Sequence, residues 1–344
     1  MPIPGVASDN WNREGGRVCR IMITSDQAAQ YKDEAEAAFD RGDVEAAISF
    51  YRQAQALNPG DFKYVSRLGA LLSGQFDFQP ARVLYEEAIH GMNARNEAGV
   101  TLGNLHLSLG EVYLALNQLR EAESHFVEAE KLGADQAMLH LSLANLYFEK
   151  AEYDKSLAES EELLKIDPED LHGFLGKARV YRQTKEHQLA KSVLDAARVV
   201  APNDEYVEIE VGNLASALKD HGEALAHYKN ASQIAPANPA AKYSMGTAYL
   251  ELDEYSKARE LFADVLRHQP NNAEALYGLA LAERELGDLQ AATTHLKAAI
   301  VAKPFNISFH QVLFLSQFDS RKWVTALRTA LRARKLFRQQ RQSD

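Results

Sequence analysis

The chain has 344 residues, 46% of them hydrophobic and 25% charged, with a net charge of −10. The charge is uneven: residues 305–344 carry +6 and the remainder −16, which argues against nucleic acid binding by the body, because phosphate contacts need positive charge. The length alone suggests two globular domains, but no apolar run reaches the 18 or so residues of a membrane span, the N-terminus shows no secretory signal, and the lone Cys19 suits a reducing cytoplasm.

Residues 1–24 are rich in Pro, Gly, Asn and Ser with isolated apolar residues, and are expected to be disordered. Met22 is a candidate alternative start, because the first helical pattern begins just after it, with Ser25 or Asp26 as its cap. From there the chain is periodic. Pro168, Pro202, Pro236, Pro270 and Pro304 stand 34 residues apart, and Pro59 fits the same ladder one insertion out of step. A fixed period of this length marks a stacked repeat.

Other positions repeat in phase. Small residues recur at Ala47, Ala81, Ala122, Ala190, Ala224, Ala258 and Ala292, each followed four residues later by Tyr51, Tyr85, Phe126, Leu194, Tyr228, Phe262 or Leu296. Earlier in each unit stands Gly69, Gly110, Ala144, Ala178, Gly212, Gly246 or Ala280. The pattern implies two short antiparallel helices per unit. The glycine or alanine lets them approach, the large residue fills the gap on the same face, and the proline ends the second helix.

A seven-residue insertion, 96–102, separates the second and third units. It is expected either to lengthen a neighbouring helix by about two turns or to form a loop around Gly99 and Gly103. Beyond Pro304 the repeat fades into a region, 305–344, expected to cap the array. A helix from Ser320 would place Trp323, Leu327, Ala330, Leu331 and Phe337 on one side and Arg321, Arg328, Arg332 and Lys335 on another. Trp323, Leu327 and Leu331 are expected to dock around Leu296 and Ile300. The alternative for this helix is a basic arm for an acidic groove, an anionic membrane or nucleic acid.

The "LGEVY" of 109–113 and the "MGTAYLELDEYSKARELFADVLRHQP" of 245–270 resemble the tetratricopeptide repeat motif. The resemblance covers eight units: 28–61, 62–95, 103–136, 137–170, 171–204, 205–238, 239–272 and 273–306. It implies an all-α, right-handed superhelical α-solenoid over 25–304, with a C-terminal capping helix. Two features depart from the family. Its early tryptophan is replaced by residues such as Tyr31, Val65, His106 and Phe174, and the fourth unit has Ser156 and Ser160 where alanine and an aromatic are usual, so looser packing is expected there.

Signs of catalysis are missing from the sequence. The eleven histidines are scattered, and there is no HExxH, no cysteine cluster and no phosphate-cradling glycine loop. Neither a cofactor nor a metal is expected. In the family the first helices line a concave face that commonly binds extended peptides or helices. The fifth residues of successive units, Leu107, Leu141, Leu175, Ile209, Tyr243 and Tyr277, would form an apolar stripe there, joined by Phe148, Leu114 and Leu250. Asn145, Arg179, Arg182 and Asn213 would be its polar partners. The rival is that the stripe packs against adjacent helices. The lysine and asparagine pattern of carboxylate-clamping co-chaperones is not met: Lys32, Glu36, Arg67, Asn104 and Ser108 stand at the tested positions. The expected function is a non-catalytic cytoplasmic scaffold binding a protein or peptide, as an assembly factor or chaperone-like adaptor. The alternatives are a peptide sensor or a homo-oligomer assembled through the basic C-terminal helix.

Overall fold

The computed structural model describes residues 26–58, 61–94 and 99–343. The expectations for residues 1–24, including a start at Met22, lie outside them. The described residues form eighteen helices and no strand. In chain order these are α1 (26–40), α2 (Val44–Leu57), α3 (Phe62–Gly74), α4 (Phe78–Ala94), α5 (Val100–Ala115) and α6 (Leu119–Lys131). They continue as α7 (Gln136–Glu149), α8 (Tyr153–Ile166), α9 (Leu171–Gln183), α10 (His187–Val200), α11 (Glu205–Ala217) and α12 (His221–Ile234). The last are α13 (Ala240–Glu251), α14 (Tyr255–His268), α15 (Ala273–Glu285), α16 (Leu289–Ala302), α17 (Ile307–Asp319) and α18 (Trp323–Ser343).

The helices fall into two compact units. One holds the described part of Met1–Gly74 and of Pro80–Glu97; the other holds Gln75–Gln79 and the described part of Ala98–Asp344. Around the insertion, Gly99 adopts a left-handed φ of 101° and Val100 to Leu102 join α5, which grows to 16 residues. The second unit is an α-solenoid of antiparallel hairpins, α5–α6 through α17–α18, each packed on the next.

Local chemistry sets both ends of each helix. Asp135, Asp170, Asp204, Asn272 and Asn306 precede α7, α9, α11, α15 and α17, and each side chain accepts a hydrogen bond from an amide in the first turn. At the other end each first helix from α5 onward turns through a residue with positive φ: Asn117, Ala151, Lys185, Lys219, Asp253, Gly287 and Arg321, all 34 apart. In every case the amide after it donates back six-to-one, as Glu152 N does to Tyr147 O at 2.8 Å, while the left-handed residue donates five-to-two, as Ala151 N does to Phe148 O at 2.9 Å. Only one of these seven positions is glycine. The others bear the cost of a Cβ in the left-handed region.

The seam between paired helices obeys a size rule. Gly69 faces Tyr85, Gly110 faces Phe126, Gly212 faces Tyr228 and Gly246 faces Phe262, with each ring lying where a Cβ would have to go. Where the first helix has alanine, the second has a smaller side chain: Ala144 with Ser160, Ala178 with Leu194 and Ala280 with Leu296. Repeat one alone breaks the rule, with Ala35 and Tyr51. The expected looseness of the fourth unit is therefore corrected. Ser156 and Ser160 are fully buried; Ser156 Oγ donates to Ala144 O at 2.8 Å and Ser160 Oγ to Ser156 O at 3.0 Å. Gly176 of the next helix approaches so closely that an added Cβ would stand 2.6 Å from Ser160 Oγ.

The C-terminal region is a further hairpin in phase with the others. Asn306 caps α17 34 residues after Asn272, Arg321 takes the left-handed turn, and Ala326 continues the buried alanine ladder. The seam sizes are exchanged here, with Phe314 at the glycine position and Ala330 at the aromatic one, which hid the hairpin from the motif. The expected docking of Trp323, Leu327 and Leu331 around Leu296 and Ile300 is also corrected. Phe309, Val312 and Leu313 of α17 pack there instead, and the three α18 residues are exposed. Phe337 lies among side chains outside the description.

Candidate functional site

The expected site residues lie on the first helices of their hairpins, α5 to α15, but not as a uniform exposed stripe. Leu107 and Ile209 are buried, and are corrected to core. Ile209 joins Tyr228 of its own hairpin and Ala241 of the next, so the fifth position seals one repeat against its neighbour. Leu141, Leu175, Tyr243 and Tyr277 are half-buried. Leu175 packs on the cluster of Ala178, Ala190, Leu194 and Leu214. Tyr243 meets Phe262 edge-on at 5.6 Å, and Tyr277 lies 5.0 Å from the Phe309 ring. Burial raises the Tyr243 hydroxyl to about 12, so it stays a neutral donor. Leu114 and Leu250 are half-buried as well.

The expected polar residues do come together. Arg179 Nη2 donates to Asn145 Oδ1 at 2.7 Å across the boundary between repeats four and five, and its guanidinium lies 4.0 Å over the Phe148 ring. One boundary further, Arg182 Nη2 reaches Glu210 Oε2 at 3.4 Å. Asn213 Nδ2 donates to Glu210 Oε1 at 3.0 Å, and the Tyr228 hydroxyl donates to Asn213 Oδ1 at 2.8 Å. Burial lowers the Arg179 guanidinium from its ordinary value, while Glu210 and Glu149 hold it up; it remains a cation. The Nε–H groups of Arg179 and Arg182 are buried without a hydrogen-bond partner.

Beside Arg182 a cleft of about 350 Å³ is lined by Asn213, Ser216, Tyr228, Tyr243, Thr247 and Glu251, among others. Ser216 Oγ donates to Glu251 Oε2 at 3.0 Å, again from one repeat to the next. The sequence reading missed Glu210, Glu251 and the Tyr228 hydroxyl. Tyr228 was assigned to the seam, but it is long enough to fill the gap over Gly212 and still present its hydroxyl to Asn213. Among the described residues no group of three His, Cys, Asp or Glu could hold a metal ion, and no helix is long and apolar enough to cross a membrane.

Tetratricopeptide repeat models match residues 31–61, 107–171 and 243–307, and no curated protein sequence matches the chain. Among solved structures, a chain of the APC/C hetero-tetramer Cut9–Hcn1 is 18% identical with a TM-score of 0.50, the match covering 82% of this chain and 54% of that one. This chain therefore spans about half the length of that relative. A human IFIT1 dimer with m7Gppp-AAAA is 15% identical with a TM-score of 0.52, covering 78% and 67% respectively. At these identities the likeness concerns the fold. With the seam residues repeating on both sides of the insertion, the turns from Asn117 to Arg321 in phase and three segments matched, the chain belongs to the tetratricopeptide repeat family.

Proposed function

We propose that the protein is a non-catalytic scaffold that binds an extended peptide or a helix along the first helices of repeats four to eight, as an assembly factor or chaperone-like adaptor. The observation that carries this is the pair Arg179 and Arg182. Both are half-buried cations on adjacent turns of α9, both bridge to a neighbouring repeat, and both keep a buried Nε–H unused. The half-exposed edges of these guanidinium groups suit carboxylates and backbone carbonyls of a ligand. Asn145 and Asn213 extend the row of amides, Phe148 and Tyr243 offer apolar contact, and the cleft beside Arg182 has room for a side chain. Leu141, Leu175 and Tyr277 contribute their half-exposed edges.

The test is selection from a displayed peptide library on the wild-type protein and on Arg179→Ala/Arg182→Ala. Enriched peptides should contain an acidic residue, bind the wild type and bind the double variant at least about tenfold more weakly, the scale of losing one charge-assisted contact. The helical circular dichroism of the variant should match the wild type. Selected peptides that bind both proteins equally would refute this site.

A further inference from the structure

The last helix differs from every second helix before it on the side turned away from the array. In α18, Trp323, Val324, Leu327 and Leu331 are 56%, 66%, 59% and 55% exposed. They stand at i, i+1, i+4 and i+8, which is one strip of a helix. The same positions one period earlier as Val324, Leu327 and Leu331 hold Gln290, Thr293 and Lys297, and two periods earlier Ser256, Arg259 and Ala263. Val324, Leu327 and Leu331 are thus no inheritance of the repeat, whereas Trp323 keeps a position that is already apolar at Leu289 and Tyr255. Nor is it left over from packing: α18 meets α17 with its other side, through buried Ala326 and a Thr329 hydroxyl that donates to Gln317 Oε1 at 2.7 Å. Trp323 stacks edge-on against Phe318 at 4.5 Å, and Phe318, itself 42% exposed, widens the apolar surface onto α17.

Cations surround the strip. Arg321, Lys322, Arg328, Arg332, Arg334 and Lys335 are all exposed, and none of them forms an ion pair with the described residues. No acidic residue occurs from Ser320 to Ser343. An apolar strip with an aromatic residue, rimmed by Lys and Arg on a helix of 21 residues, has the makeup of a helix that lies in a membrane interface. The cations would meet anionic headgroups while Trp323 and the aliphatic residues enter the acyl boundary.

We propose that α18 docks the protein on an anionic lipid surface, leaving the first-helix face of the solenoid to its own ligand. A second copy of the chain is the poorer occupant. A two-fold contact through this helix would set two cationic rims against each other, and a head-to-tail contact onto the acidic body would propagate rather than close. Nucleic acid would satisfy the cations but leave the four apolar side chains without a partner.

The test uses the full chain with vesicles of phosphatidylglycerol and phosphatidylcholine, and with vesicles of phosphatidylcholine alone. The protein should sediment with the anionic vesicles at low salt, release at 0.5 M salt or so as screening shortens to a few ångströms, and ignore the neutral ones. In a Trp11→Phe background, Trp323 emission should shift to the blue and be quenched by brominated acyl chains. Leu327→Ser/Leu331→Ser and, separately, Arg328→Gln/Arg332→Gln/Lys335→Gln should each cut vesicle binding by about tenfold or more. These residues are exposed, so both variants should keep the wild-type melt. Absence of sedimentation, binding unchanged in the leucine variant, or a concentration-dependent mass increase that the same substitutions abolish would overturn the proposal. None of these outcomes touches the peptide reading, which is tested at Arg179 and Arg182.

Discussion

The pairing of Gly110 with Phe126 makes a quantitative prediction about the seam. A Cβ on Gly110 would stand 2.6 Å from Phe126 Cδ1 and 3.1 Å from Cζ, well inside the roughly 3.5–4.0 Å of a comfortable carbon contact. The ring is fully buried and cannot swing away. Gly110→Ala should therefore incur about 1–3 kcal/mol of overpacking, offset in part by about 1 kcal/mol of helix propensity. Phe126→Leu alone should cost about 1–2 kcal/mol, less than the 3–5 of a full truncation. Together the two create the Ala–Leu pair already used at Ala178 with Leu194 and at Ala280 with Leu296. The double variant should thus be more stable than the sum of the singles by about 1–3 kcal/mol. Urea unfolding followed by helical circular dichroism, analysed at constant m-value, measures all four corners of the cycle. Additivity within about 0.5 kcal/mol would refute the size rule.

Further expectations follow from the same geometry. Ala151 has φ 57° at a helix end, so Ala151→Gly should raise stability by about 1 kcal/mol, while Ala151→Val should lower it in the same urea assay. Ile209→Glu places a charge among Tyr228, Ala231 and Ala241 and should cost roughly 3 kcal/mol or more, whereas Leu175→Glu, half-exposed, should retain the fold; equal melts for the two would show that the fifth position is surface throughout. His106 faces His125 with Nδ1 atoms 2.9 Å apart, and burial holds His106 below its ordinary 6.5. The unfolded chain then binds the proton more readily, so stability should fall as the pH drops from 7 through 6.5 and below. His106→Gln should flatten that decline, and an unchanged pH profile would show that the pair is not responsible.

The fold was legible because its determinants are local and periodic. Alanine, aromatic and proline positions each obey the period of 34, and agreement among independent positions is hard to produce by chance. The C-terminal hairpin escaped because it keeps Ala326, Asn306 and the turn at Arg321 but exchanges the sizes at Phe314 and Ala330. A motif tied to glycine and aromatic identities loses it, whereas the cap and turn positions carry it. The first-helix face was legible in part. Asn145, Arg179 and Asn213 are legible because they stand 34 residues apart at one first-helix position, with Arg182 one turn beyond Arg179, but the fifth-position stripe was misjudged at Leu107 and Ile209. Apolar character at one helix position does not separate contact with a ligand from contact with the next helix; that depends on how far adjacent hairpins rotate, which no single repeat encodes.

On the proposed reading, ligand binding and repeat stacking use the same side chains. Arg179 to Asn145, Arg182 to Glu210, Ser216 to Glu251 and Arg284 to Asp319 each tie one first helix to its neighbour. A ligand carboxylate that takes Arg182 must compete with Glu210. At 3.4 Å, with both side chains about a fifth exposed, that pair is worth on the order of 1 kcal/mol once solvent screening is counted. The exchange is favourable for a ligand that offers a better placed carboxylate. It also frees Glu210, still held by Asn213 at 3.0 Å, to turn toward the cleft and meet a donor on the ligand. Binding at one boundary would then alter one polar contact between repeats five and six, while the apolar packing of Leu214 on Ala178, Ala190 and Leu194 stays in place. The apolar seams between α9 and α10 and between α11 and α12, built on Ala178 with Leu194 and on Tyr228 over Gly212, do not use the Arg182–Glu210 pair and would hold each hairpin rigid while this happens.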